Sequence, residues 1–202
     1  MPRGAAILLD RDGVVNDLVY YPEQGIADSP FTLKQFSLSR GVGRQLRRMQ
    51  DLGYRLVVVS NQPGVAKKHF SERTLDLMSR KMNRLLAKEG VKLDGEYYCL
   101  HHPDAAVARL RVNCSCRKPK PGMLLKAADD LGLALDHSWM LGDGLTDVLA
   151  GKRAGCRTIL LGSVNSLLVR KMKEMEAEPD FQARTLAEAV KIIEGAAARA
   201  SR

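Results

Sequence analysis

Two short stretches of this chain hold acids at a spacing that suits metal-assisted chemistry. In Asp10-Arg11-Asp12-Gly13 two carboxylates flank one arginine, and in Gly142-Asp143-Gly144-Leu145-Thr146-Asp147 two more are separated by one helical turn. Carboxylates gathered at one place repel unless a hard cation joins them, and oxygen donors without imidazole or thiolate favour Mg²⁺ over Zn²⁺. Mg²⁺ keeps waters and takes one or two protein carboxylates, so Asp10 and Asp143 are expected to hold it, leaving Asp12 for proton transfer. The plainer alternatives are a polar turn in which Arg11 neutralises one acid, and an Asp147 that merely complements a helix dipole.

A second donor set differs in kind. Cys99-Leu100-His101 is followed, after twelve intervening residues, by Cys114-Ser115-Cys116. Three thiols and an imidazole suit a closed tetrahedral zinc site made of Cys99, His101, Cys114 and Cys116, with His102 as the alternative imidazole. A disulfide is the competing reading, which the included histidine and a reducing compartment disfavour. A filled shell leaves no open position, so this zinc is expected to be structural, clamping Arg117 and Lys118, which follow Cys116 directly. Cys156 reads as an inert core thiol.

These groups need strands to deliver them. Residues 5–9 are an uninterrupted apolar run and 55–59 and 157–161 are apolar apart from Arg55, Arg157 and Thr158, the pattern of strands buried on both faces, and 95–99 and 138–141 read as shorter strands. Helical stripes follow over 41–52, 71–90, 122–131 and 186–193, closed by Gly53 and Gly90 in the first two cases. The alternation predicts an α/β fold with a doubly wound parallel sheet, whose carboxyl edge is where ligands bind. That edge collects Asp10 and Asp12, Ser60 and Asn61, then Asp143 and Asp147. Residues 16–39 read as an irregular loop, 163–178 as a basic helical segment, 181–183 as an edge strand, and the tail after Gly195 as frayed.

The 202 residues, 45% of them hydrophobic, suit one domain spanning the chain. No run approaches the roughly 20 apolar residues that span a bilayer, and the first residues lack the order of a signal peptide, so a cytoplasmic location is expected. The net charge of +9 is compatible with nucleic acid, anionic lipid or a polyanionic small substrate. With aromatics at 5% there are few stacking platforms, and a zinc-stapled nucleic-acid module would leave Asp10, Asp12 and Asp143 without a task.

The first-strand Asp-x-Asp-Gly, Ser60, Lys118 and the Gly-Asp-x-x-x-Asp at 142–147 resemble, in order, the four motifs of the haloacid dehalogenase (HAD) superfamily. That resemblance implies a Mg²⁺-dependent phosphatase. Asp10 would be the nucleophile that forms an aspartyl-phosphate, and Asp12 the acid that protonates the leaving alcohol and then activates water. Ser60 and Lys118 would hold the phosphoryl group, with Mg²⁺ on the Asp10 carboxylate, the Asp12 backbone carbonyl and Asp143. Within the superfamily, the Cys-x-His loop joined to Cys-x-Cys-Arg-Lys-Pro-x-Pro-Gly-Met is similar to the D,D-heptose 1,7-bisphosphate phosphatases. These remove the C7 phosphate on the route to the heptose of lipopolysaccharide or surface glycan. Histidinol-phosphate phosphatases share the zinc loop, but Pro121-Gly122-Met123 leans toward the heptose enzymes. The resemblance implies that Asn61 and Arg117 also hold substrate phosphate and that the partner is a small phosphorylated sugar; no large cap insertion is visible between the first two strands or in the zinc region, so an open, essentially capless site is expected. The expected assembly is a monomer or weak homodimer. Lys67-Lys68 and Gly144 depart from the branch pattern near the substrate's remote end.

Overall fold

A computed structural model describes residues 4–200 of the chain, the side chain of residue 200 excepted. The main sheet is built from β1 (Ala6–Leu9), β4 (Arg55–Asn61), β5 (Gly95–Cys99), β6 (Trp139–Gly142), β7 (Arg157–Leu161) and β8 (Phe181–Ala183), while β2 (Val19–Tyr21) and β3 (Ile26–Asp28) form a separate hairpin. The order across the sheet is β5-β4-β1-β6-β7-β8, every pairing parallel. The chain winds outward from β1 to β5, then returns to lay β6 on the other side of β1. The β1/β6 boundary is therefore the topological switch point, where a crevice opens at the carboxyl ends of the strands.

Alternation along the strands explains the layers. Ile7 and Leu9 of β1 with Leu56 and Val58 of β4 meet three helices: α1 (Val42–Asp51), α3 (Glu72–Lys88) and α7 (Leu186–Ala200). Leu8, Val57, Val59 and Met140 face the opposite way, onto α4 (Gly122–Leu131) and α5 (Leu145–Arg153). Helix α3 starts at Ser71, whose hydroxyl accepts the Thr74 N–H, the cap expected from the sequence. The short α2 (Pro63–Ala66) follows β4 directly.

Three local expectations change. Residues 16–39 are not wholly irregular: the β2-β3 hairpin occupies part of them, but its strands are three residues each and mostly exposed, so no apolar alternation marks them. The basic segment 163–178 contracts to α6 (Ser166–Glu174), which buries Met172 against Val148 and Leu160. The tail beyond Gly195 continues α7 to Ala200, since alanine favours helix and Ala196 is packed. Between β1 and β4 the hairpin is the only addition to the sheet-and-helix frame, and among the described residues no large cap is inserted over the crevice. No helix among the described residues is long and apolar enough to cross a membrane.

Candidate active site

At the switch point the backbone N–H of Asp10 donates to the Leu141 carbonyl at 2.9 Å, so the end of β1 is zipped to β6 just before Asp143 leaves it. One oxygen each from Asp10, Asp143 and Asp147 lies within 4.8 Å of the others. Gly13, at φ +81°, permits the approach: a Cβ there would stand 2.2 Å from the Asp143 carboxylate. Lys118 enters from the far side, fully buried, its Nζ 3.0 Å from Asp10, 2.5 Å from Asp147 and 2.8 Å from the Val59 carbonyl. Three carboxylates against one ammonium leave two negative charges uncompensated, which is the deficit a divalent cation fills.

The electrostatics agree with that count. Partial burial, then the Asp10 and Asp147 carboxylates, push Asp143 up to about 7, although its solvent-exposed face limits the contribution of burial. Burial also raises Asp147, against the pull of Lys118. Burial works against the Lys118 ammonium, yet Asp10 and Asp147 outweigh it and keep the group charged. Both partners of the Lys118–Asp147 contact are raised, Asp147 by its burial and then by Asp10, and Lys118 by the two acids beside it. All oxygen donors and a two-charge deficit fit Mg²⁺.

Asp12 takes no part in that cluster. Its carboxylate accepts Arg11 Nη2 at 2.9 and 3.1 Å, Asn16 Nδ2 at 2.9 Å and Gln62 Nε2 at 2.5 Å. Arg11 is completely buried, with Phe36 and Tyr98 rings each 5.8 Å from its guanidinium carbon, and it also donates to Gln62 Oε1 at 3.0 Å. The neutralising Arg11 and the strand-end acids, alternatives in the sequence, are thus both present. Sequence reasoning passed over Gln62 and Asn16. The signal for Gln62 was its place beside Ser60 and Asn61 at a strand end; for Asn16 there was none.

Ser60 is buried and its Oγ accepts Gln62 Nε2 at 3.2 Å. Asn61 does not point at the carboxylates: its Oδ1 accepts the Lys118 N–H and its Nδ2 donates to the Lys118 carbonyl, both at 3.0 Å. The end of β4 thereby grips the backbone that carries the buried ammonium.

The thiols also converge. Cys99 Sγ lies 3.1 Å from Cys116 and 3.6 Å from Cys114, and His101 Nδ1 lies 3.3 Å from Cys116 and 3.7 Å from Cys99. All four cysteines are free, and these separations far exceed the roughly 2.05 Å of a disulfide. They match the edges of a tetrahedron with metal–donor bonds of about 2.0–2.3 Å. His102 stands outside, its Nδ1 accepting the Asp104 N–H. Around the cluster, Arg117 Nη1 donates to the His101 carbonyl at 3.2 Å and Lys120 Nζ to the Cys114 carbonyl at 2.9 Å. Gly122, the first residue of α4, sits so close that a Cβ would stand 2.5 Å from the Ser115 carbonyl oxygen.

Comparison with known proteins agrees with the geometry. Residues 115–189 match the HAD-hydrolase-like family model. The D-glycero-beta-D-manno-heptose-1,7-bisphosphate 7-phosphatase of Haemophilus ducreyi is 38% identical over 179 residues, covering 88% of this chain and 90% of the relative. The chain belongs to the heptose 1,7-bisphosphate phosphatase branch of the HAD-like hydrolases. Another member of that branch, the enzyme of the same name from Escherichia coli K12, is 41% identical over 157 residues, or 77% of this chain and 78% of that protein. Among solved structures, the D,D-heptose 1,7-bisphosphate phosphatase from B. bronchiseptica, complexed with magnesium and phosphate, superposes with a TM-score of 0.76 at 28% identity, covering 95% of this chain and 98% of the other.

Proposed function

We propose that this phosphatase removes the C7 phosphate of D-glycero-D-manno-heptose 1,7-bisphosphate through an aspartyl-phosphate on Asp10. The observation that carries the reading is the meeting of Asp10 and Asp143 at the β1/β6 switch point, with the Lys118 ammonium 3.0 Å from Asp10. The Asp10 carboxylate attacks phosphorus, and the phosphorus–oxygen bond to the sugar breaks. Asp12 gives its proton to the leaving sugar oxygen, then takes one from the water that hydrolyses the acyl phosphate. Lys118 and the Ser60 hydroxyl hold the equatorial oxygens as charge builds on them. Asp10, Asp143 and the Asp12 backbone carbonyl would hold Mg²⁺, which would supply the positive charge that lets a carboxylate approach a phosphate dianion. Asp147 fixes Lys118 from behind. Arg117 reaches the outer phosphate oxygens, while Asn61 serves through its hold on Lys118.

Cys99, His101, Cys114 and Cys116 would hold zinc, which would tie the loop that presents Arg117 and Lys118. Its three thiolates suit a reducing, cytoplasmic setting. Residues 1–202 act as one catalytic domain on a small phosphorylated sugar, needing neither membrane nor nucleic acid, as a monomer or weak homodimer. The test is phosphate release from heptose 1,7-bisphosphate and histidinol phosphate, each with and without Mg²⁺. Mg²⁺-dependent release from the first is expected; release from histidinol phosphate alone overturns the substrate assignment.

A further inference from the structure

Ser60 and Gln62 stand two residues apart at the end of β4, so strand alternation sets them on one side, while Asn61 between them turns to the Lys118 backbone. Gln62 is completely buried, and its amide is engaged at both ends. Its Oε1 accepts Arg11 Nη2 at 3.0 Å, and its Nε2 donates to Asp12 Oδ2 at 2.5 Å and to Ser60 Oγ at 3.2 Å. The reversed amide would turn its oxygen on the Asp12 carboxylate and its NH₂ group on the guanidinium, so only one orientation is satisfied. The backbone is fixed as well. The Gln62 N–H donates to the Cys99 carbonyl at 2.8 Å, and Pro63 opens α2, whose Ala66 carbonyl accepts the Val107 N–H at 3.1 Å.

These bonds have a direction, running from Arg11 to Gln62 and from Gln62 to both Asp12 and Ser60. A hydroxyl that accepts from Gln62 keeps its own hydrogen for a phosphoryl oxygen. The two hydrogens of one planar NH₂ group diverge at a fixed angle, and they set where the Asp12 oxygen stands relative to the Ser60 hydroxyl. Arg11 and Asn16 hold Asp12 from other sides, but among the described residues only Gln62 bonds both Asp12 and Ser60.

We propose that Gln62 is a positioning residue for the hydrolysis, registering Asp12 against the Ser60 hydroxyl so that proton transfer is aligned with the phosphoryl group. The proposal rests on the reading of Asp12 as acid and base given above. Its signature is a loss that depends on whether the leaving oxygen needs a proton.

The test compares heptose 1,7-bisphosphate with p-nitrophenyl phosphate, whose phenolate leaves without a proton, in Gln62→Met, Gln62→Glu and Asp12→Asn, each checked by thermal unfolding. Gln62→Met should lose about tenfold to a hundredfold in kcat on the sugar phosphate. On the aryl ester the phosphoryl group should still pass to Asp10 at close to the parental rate, seen as a burst of p-nitrophenolate stoichiometric with enzyme before slow hydrolysis of the aspartyl-phosphate. Glutamate keeps the shape but lacks the NH₂ group and sets a second carboxylate beside Asp12, so Gln62→Glu should be no better than Gln62→Met. Parental kcat in Gln62→Met, activity restored by glutamate, or an equal loss in the first step with both esters overturns the proposal and leaves Gln62 a packing residue. Parental kcat in Asp12→Asn refutes the acid-base reading itself; an impaired Asp12→Asn beside a parental Gln62→Met refutes the positioning role alone.

Discussion

Replacing Asn61 by alanine separates two roles that a polar residue at this strand end can have. The amide makes two hydrogen bonds of 3.0 Å to the Lys118 backbone, one in each direction, and both are partly buried. Truncation leaves the N–H and the carbonyl of Lys118 without these partners, and an unsatisfied buried polar group costs about 1–3 kcal/mol. Water reaches the edge of the pair, so the lower end applies to each bond, giving a loss of about 2 kcal/mol. For a chain of this size that lowers Tm by about 4–8 °C. The ammonium at the end of the same residue sits between Asp10 and Asp147, and a shift of about 1 Å in its backbone should cost up to a hundredfold in kcat. The assay is thermal unfolding without substrate, paired with steady-state phosphate release. A residue that served only as a phosphate contact would raise KM and leave the unfolding of the free enzyme as it was. Asn61→Ala with a parental Tm, and with its loss confined to KM, would refute the argument that Asn61 acts through Lys118.

Asp10→Asn should abolish turnover because the amide cannot form the acyl phosphate, and Asp12→Asn should lose about 10²- to 10⁴-fold in kcat; rapid phosphate release by the first contradicts the covalent route. Stripping zinc with a chelator should loosen the loop around Arg117 and lower both activity and Tm, read by parallel metal analysis, phosphate assay and unfolding. Asp143 is raised to about 7, so the folded chain without divalent ion binds more protons than the unfolded one between about pH 4 and 7. Its stability should therefore fall as pH rises through that window, and added Mg²⁺ should reverse the loss, checked by unfolding at stepped pH. Burial pushes the Cys156 thiol up to about 12, so iodoacetamide should leave it unmodified at neutral pH in the folded protein and label it in denaturant, measured by mass spectrometry.

The strands that carry the site were legible because they are buried on both faces. β1 reads as an unbroken apolar run and β4 and β7 hold the apolar stretches 56–59 and 159–161, and the strand ends located Asp10, Ser60 and, by way of β6, Asp143. The Cys/His cluster proposed to hold zinc was legible by residue type alone, since thiols and imidazole so close in sequence have few other uses. What lay hidden depends on partners distant in the chain. Gln62 reaches Asp12 across a separation of fifty residues, and Asn61 grips Lys118 across fifty-seven. No local period records such pairs. The β2-β3 hairpin was hidden for the opposite reason: with Tyr20 and Ile26 exposed, burial imposes no alternation on it.

One tripeptide, Asp10-Arg11-Asp12, supplies both carboxylates proposed for the reaction, and the fold gives them opposite surroundings. Asp10 stays in line with β1 and joins two acids and one lysine, where negative charge is in excess. Gly13 then turns the chain at φ +81°, and Asp12 meets its own arginine, so its charge is balanced within the motif. A buried guanidinium without a carboxylate would be costly in that apolar setting between Phe36 and Tyr98, just as Asp12 without Arg11 would join the excess at the cation site. The pairing that reads as mere neutralisation is therefore what separates the two roles. In the proposed reaction it would reserve the divalent ion for Asp10 and leave Asp12 outside its shell of carboxylates.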